Sequence, residues 1–151
     1  IGQRLLRKLC DACKKPKAID TALQTFIEAF IKKLPARVAR EPYATPTLFE
    51  GVGCEKCGGS GYRGRIGIFE MLLNDPDFEQ VKQGQVGQPT SEGEFEALIL
   101  KEAGETEILS YAVARGMVTM QQDGVLKVLA GMTSFSEVAE ATGRIAGLTD
   151  H

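Results

Sequence analysis

Leu23, Phe26, Ile27, Phe30, Ile31 and Leu34 recur at the three- and four-residue steps of a helix with one apolar face. Asp20 stands where an N-cap belongs and Pro35 bars continuation, so the pattern predicts a helix over 20–34. Before it, the run from Ile1 to Leu9 reads as the end of an interrupted helix. After it, Pro35, Pro42 and Pro46 favour an extended connection through residues 35–49. Ile66 to Leu73 is a short apolar run bounded by Asn74-Asp75-Pro76, the mark of a strand, and a glycine-dense loop, residues 58–65, leads into it.

Beyond Asp75 the pattern turns helical. A segment near 76–83 and a polar stretch at 84–93 precede a helix through Phe95, Leu98 and Ile99, with Gly104 as its stop. Ile108, Tyr111, Ala112 and Arg115 mark the next helix, ending at Gly116, and Met120 to Ala130 another, ending at Gly131. Ser134 and Glu137 have capping-box spacing ahead of a last helix through Val138, Ala139 and Thr142, closed by Gly143. The expected class is α+β, in two domains with a tail. Residues 1–75 form a metal module with an inserted amphipathic helix and a short strand, 76–143 a bundle of short helices, and 144–151 the tail.

The cysteines decide what the first domain is built around. All four fall in two Cys-x-x-Cys pairs, Cys10 with Cys13 and Cys54 with Cys57. A two-residue spacing lets one tight turn present two thiolates to the same ion, and two such turns give the four sulfur ligands of a closed, structural zinc site. Two disulfides fit a cytosolic chain poorly, and core cysteines have no reason to pair twice at this spacing. The 40 residues between the pairs exceed the roughly 15–20 of an ordinary zinc ribbon, so the predicted helix must fill the gap. Lys8, Lys14, Lys15 and Lys56 lie close enough in sequence to offset part of the thiolate charge. Loss of one ligand is expected to unfold this module before it affects the helical end.

Composition narrows the function. With 43% hydrophobic and 25% charged residues the chain can build a core, and a net charge of −2 argues against a general nucleic-acid binder. Charge is uneven, however: the first 18 residues hold six cations against Asp11 alone. This basic end reads as a solvated face around the metal, with a docking surface as the alternative. No apolar run approaches the roughly 18 residues of a membrane span and no signal segment opens the chain, so a soluble, cytoplasmic protein is expected. The first residue is Ile1, which suggests a piece of something longer. The dipeptide Gly-Lys does not occur, so there is no phosphate-binding loop of the Gly-x-x-x-x-Gly-Lys-Ser/Thr type. His151, the one histidine, ends the chain and reads as a frayed tail. With the cysteines committed to metal, no nucleophile has a base, no catalytic residue is assigned, and the chain is not expected to be an enzyme by itself.

Two blocks carry a family resemblance. Gln3-Arg4-Leu5-Leu6-Arg7-Lys8-Leu9-Cys10-x-x-Cys13 is followed by Gly53-Cys54-x-x-Cys57-x-x-x-Gly61-Tyr62-x-Gly64-Arg65-x-Gly67-Ile68-Phe69-Glu70. Farther on come Ala114-Arg115-Gly116-Met117-x-Thr119-Met120, Asp123-Gly124, Lys127-Val128-Leu129-x-Gly131-x-Thr133-Ser134 and Glu137-Val138. In this order they resemble the region beyond the nucleotide-binding core of type II secretion and type IV pilus assembly ATPases. The resemblance implies a hexameric RecA-like motor at the cytoplasmic face of the inner membrane. Its ATP and magnesium sites would lie ahead of Ile1, and its partners would be neighbouring subunits and inner-membrane platform proteins, with no nucleic acid. It implies the tetracysteine zinc ligands too, and would allow Arg4, Arg7, Arg63 and Arg65 to face the motor core, with nucleotide sensing as the functional reading and ordinary surface residues beside a zinc loop as the alternative that is preferred. Two alternatives compete. Cys54-x-x-Cys57-Gly58-Gly59-Ser60-Gly61 fits one repeat of the DnaJ-type client-binding zinc domain, but that family uses four. A nucleic-acid-binding zinc ribbon would use the basic first 18 residues, which lack interleaved aromatics.

Overall fold

The computed structural model describes residues 1–72 and 92–148. The fold is α+β, with four strands paired two by two and five α-helices among the described residues. By its internal contacts the chain divides into two compact units, Ile1–Glu70 with Val118–His151, and Met71–Met117.

In the first unit the opening residues form a strand, β1 (Gly2–Leu9), where the sequence suggested a helix end. The adjacent leucines mimic a helical stripe, but the period is two: Leu6 is buried at 2% exposure while Leu5 is 65% exposed. β1 pairs antiparallel with a strand at Tyr62–Glu70, Leu6 opposite Ile66 and Arg7 opposite Arg65. The register shifts between Arg7 and Leu9, and Leu9 too is buried. That partner strand begins ahead of the apolar run, because its Arg- and Gly-rich start also pairs with β1. A second ribbon went unpredicted: β2 (Lys14–Lys17) pairs with β3 (Leu48–Gly51), four residues each, and the Tyr62–Glu70 strand is therefore β4. Lys-Lys-Pro-Lys has no strand signature, and the pairing comes from tertiary contact.

The predicted amphipathic helix is present as α1 (Thr21–Lys33), and the Asp20 carboxylate accepts from the Leu23 amide at 2.8 Å. Its Leu23 and Ile27 enter one core with Leu6, Leu48 and Ile68. Two further helices complete this core. They are numbered α4 (Met120–Leu129) and α5 (Phe135–Thr142), after the two in the other unit. Val125, Val128 and Leu129 of α4, Val138 of α5 and Ile145 beyond it are all buried there. The division expected at 74–76 therefore does not describe the packing. The last helices belong with the strands, and residue 145 is core rather than tail. At the α4–α5 contact a Cβ on Gly124 would lie 2.8 Å from Val138 Cγ1, so only glycine permits this approach.

Polar groups pin α4 to β4. The Phe69 amide donates to Asp123 Oδ2 at 2.8 Å and the Met120 amide to Glu70 Oε2 at 3.2 Å, so each element supplies an acceptor for the other's backbone. Thr119 and Gln122 close a reciprocal capping box on α4.

The second unit contains α2 (Glu92–Leu100) and α3 (Glu105–Ala114), with Phe95 stacked on Tyr111 at 5.8 Å. Gly104 caps the start of α3 and does not stop α2, which ends through the Ala103 amide donating to the Leu98 carbonyl at 3.0 Å. The helix expected near 76–83, most of the polar stretch after it, and His151 lie outside the described residues. No helix among those described is long and apolar enough to cross a membrane.

Candidate metal centre

Two short knuckles build the site. The first follows β1: the Cys13 and Lys14 amides both donate to the Cys10 carbonyl, at 3.1 and 2.9 Å. The second precedes β4 as a single 3₁₀ turn, Glu55–Cys57, with the Cys57 and Gly59 amides donating to the Cys54 carbonyl at 3.2 and 2.9 Å. The β1–β4 pairing sets the knuckles face to face, and the Cys10 amide bonds across to the Gly61 carbonyl at 2.9 Å.

This brings Cys10, Cys13, Cys54 and Cys57 together with all four sulfurs within 4.8 Å of one another. Cys10 and Cys54 Sγ stand 3.9 Å apart, Cys13 and Cys57 3.8 Å, and Cys54 and Cys57 3.7 Å. A disulfide needs about 2.05 Å. The edge of a tetrahedron of sulfurs each ~2.3 Å from a central ion is about 3.8 Å, so the donor set fits one tetrahedral thiophilic metal. Cys10 and Cys13 are buried, while Cys54 and Cys57 are partly exposed.

Backbone amides stabilise charge on the sulfurs. Cys54 and Gly61 N–H groups donate to Cys57 Sγ at 3.2 and 3.3 Å. Burial opposes the Cys57 thiolate, but these amides outweigh it and the thiol is lowered to about 6. Burial dominates at Cys13, which is pushed up to about 12 despite a bond from the Gly53 backbone. Among the nearby lysines, Lys14 and Lys8 hold Asp11 at 2.7 and 2.9 Å, which lowers that carboxyl to about 2. Lys14 also donates to the Gly131 carbonyl at 3.3 Å. These two are thus engaged by neighbours, and the charge they offer the sulfurs is reduced accordingly.

Gly61 is the residue on which the geometry turns. Its N–H serves Cys57 and its carbonyl serves Cys10, its φ is +77°, and a Cβ there would meet the Gly51 carbonyl oxygen at 2.6 Å. Gly61→Ala is expected to cost about 2–4 kcal/mol through left-handed strain plus backbone overlap. It should also weaken metal retention against a competing chelator. Retention equal to that of the parent sequence would show that the knuckles position themselves without it.

A second constellation, invisible in sequence, joins the site to α5. The Arg7 amide and Nε donate to Glu137 Oε2 and Oε1, both at 2.9 Å, across 130 residues of chain. The Arg7 guanidinium lies 4.5 Å from the Tyr62 ring centroid, Tyr62 Oη bonds Ser134 Oγ at 2.8 Å, and Thr133 Oγ1 donates to the Arg7 carbonyl at 2.8 Å. Ser134 caps α5 as predicted, but Glu137 does not return the bond, because its carboxylate serves Arg7 instead. Burial raises the Glu137 carboxyl, the bonds from Arg7 outweigh it, and the net direction is down. The stabilisation from this pair is therefore complete above the ordinary glutamate value of 4.5 and fades as pH falls through the lower folded value. Glu137→Gln is expected to unfold more easily than the parent at pH 7, with the gap closing below about pH 4.5. Metal loss in acid is common to both proteins and cancels. An equal gap at pH 7 and pH 3 would contradict this assignment.

The described residues thus hold a four-cysteine cluster between two ribbons. Comparison with known proteins gives the context. A family model described as "Type II/IV secretion system protein" matches residues 1–140. Type II secretion system protein E of Dickeya dadantii is 36% identical over 144 residues, which is 94% of this chain and 22% of that protein. Type IV pilus assembly ATPase PilB of Thermus thermophilus is 31% identical over 142 residues, 94% of this chain and 13% of that protein. Type II secretion system protein E of Pseudomonas aeruginosa is 32% identical over 142 residues, 94% and 22% respectively. The chain therefore spans about a fifth or less of these relatives' length. With the family model covering most of its residues, the chain belongs to the Type II/IV secretion system protein family.

Proposed function

We propose that Cys10, Cys13, Cys54 and Cys57 bind one structural zinc ion, and that the chain serves as a metal-stabilised accessory region of a secretion or pilus assembly ATPase. The observation that carries the first part is the gathering of all four sulfurs within 4.8 Å, three of the separations being 3.7–3.9 Å, which suits a tetrathiolate ion and leaves no ligand position open for catalysis. Bound zinc would supply cross-linking, tying the end of β1 to the turn before β4. What supports the second part is the run of relatives with "ATPase" or "secretion system protein E" in their names, matched over 94% of this chain.

In this reading ATP and magnesium are bound by a RecA-like motor elsewhere in the longer protein, six copies form the working ring, and this region contributes no catalytic residue. Its partners are that motor, the neighbouring subunits and inner-membrane platform proteins, and its place is the cytoplasmic side of the membrane. Arg7, one of four arginines suggested near the motor, is held by Glu137 and Tyr62, which supports a structural role for it. The family match favours this reading over a DnaJ-like client-binding module or a nucleic-acid-binding ribbon. The test is Cys54→Ser in the full-length protein: secretion or pilus assembly should fail while the motor still binds ATP. Normal export or piliation with that variant would remove the accessory role.

A further inference from the structure

The two knuckles differ in what surrounds their sulfurs. Cys10 is 1% exposed and Cys13 9%, and the Cys10 amide is bonded across to the Gly61 carbonyl. Cys54 and Cys57 are partly exposed. Directly after them a Cβ on Gly58 or Gly59 would meet nothing within 4 Å, so this side of the cluster borders open space. A small solute therefore reaches the second knuckle before the first.

The second knuckle also holds its own two sulfurs within easy closing distance. Cys54 and Cys57 Sγ stand 3.7 Å apart, and a disulfide at about 2.05 Å needs them to approach by roughly 1.7 Å, a matter of side-chain rotation within one turn. The other close pairs, Cys10 with Cys54 and Cys13 with Cys57, each include a buried sulfur and would draw the two knuckles together. Changes at the cluster are felt beyond it. The Leu9 amide, next to Cys10, donates to the Met132 carbonyl, and Lys14, next to Cys13, to the Gly131 carbonyl.

We propose that the cluster is a reversible, peroxide-responsive clasp, in which hydrogen peroxide oxidises Cys54 and Cys57 to a disulfide ahead of Cys10 and Cys13 and so opens the link between β1 and β4. This rests on the reading of the four cysteines as the ligands of one zinc ion, since coordination keeps a thiol deprotonated and hence nucleophilic. One thiolate of the pair attacks a peroxide oxygen, the O–O bond breaks, and hydroxide leaves a sulfenic acid on the sulfur. The second thiolate attacks that sulfur, the S–S bond forms as the S–O bond breaks, and a second hydroxide departs. The two sulfurs lose two electrons, which the peroxide gains, and two protons from solvent turn the hydroxides into water. Two of the four ligands are then gone, and the first knuckle alone is half of a tetrahedral set. A dithiol reductant reverses the bond by thiol–disulfide exchange.

The experiment starts with zinc counted on the purified protein, then adds one equivalent of hydrogen peroxide. A chromogenic chelator reports released zinc, and alkylation followed by peptide mass mapping locates the first disulfide. The expected result is zinc release in step with peroxide consumed, and a Cys54–Cys57 bridge about tenfold more abundant than any other, with Cys10 and Cys13 alkylated. Hydrogen exchange at the Leu9 amide should quicken, and dithiothreitol with added zinc should restore both metal and protection. A protein without metal before peroxide is added removes the zinc reading and this proposal with it. A zinc-loaded protein overturns this proposal alone if it keeps its metal at about tenfold excess peroxide, forms another bridge first, leaves Leu9 exchange unchanged, or fails to recover on reduction.

Discussion

Cys54→Ser is expected to abolish stoichiometric metal and, with it, cooperative unfolding of the entire unit that holds β1–β4, α1, α4 and α5. Structural zinc contributes apparent binding free energies of ~10–16 kcal/mol, whereas a whole domain is stable by only ~5–15 kcal/mol. Losing the ion therefore removes as much as the unit has. From sequence, the loss would stay within residues 1–75. The structure changes that expectation, because the knuckles are bonded directly to the last helices' segment: the Leu9 amide donates to the Met132 carbonyl at 2.9 Å and Lys14 to the Gly131 carbonyl at 3.3 Å. Far-ultraviolet circular dichroism and hydrogen exchange read the outcome. Protection should fall in α4 and α5 as well as in the strands. A variant without metal that keeps full protection in α5 would show that the helices are stabilised independently of the knuckles.

Ile68→Ala should produce the second large effect. Ile68 is 0% exposed and lies in the cluster that joins β1, α1, α4 and α5, so truncation removes three carbons from a site with no solvent to refill it. The expected cost is about 3–5 kcal/mol, toward the upper end for buried aliphatic truncations, because several elements would have to move together to close the cavity. Denaturant unfolding gives the magnitude, and hydrogen exchange tells where it is felt. Faster exchange in β4 and α5 together is predicted, since both use this core. A loss confined to the β1–β4 ribbon would mean that the helices form their own cooperative unit.

The gathering of the four cysteines was legible because Cys-x-x-Cys is a local signal whose chemistry depends on spacing alone. The same holds for α1, where Asp20, six apolar positions and Pro35 agree with one another, and for the glycines that end α3 and α4. β1 was not legible, since Leu5-Leu6 suits a helix or a strand and only the partner at Ile66–Ile68 decides. β2 and β3 are four residues each and rest on pairing, with Pro16 arguing against a strand locally. The packing of α4 on β4 and the pairing of Arg7 with Glu137 depend on contacts 50 to 130 residues apart. No periodicity or motif encodes that distance. The capping-box spacing even pointed Glu137 to the wrong partner, because a buried carboxylate gains more from a guanidinium than from one backbone amide.

The most direct test of the central claim is metal content and thiol count on the purified, unreduced protein. The account predicts one zinc per chain, with four thiols becoming reactive only after chelation. Absence of metal, with the cysteines found as two disulfides, would contradict it.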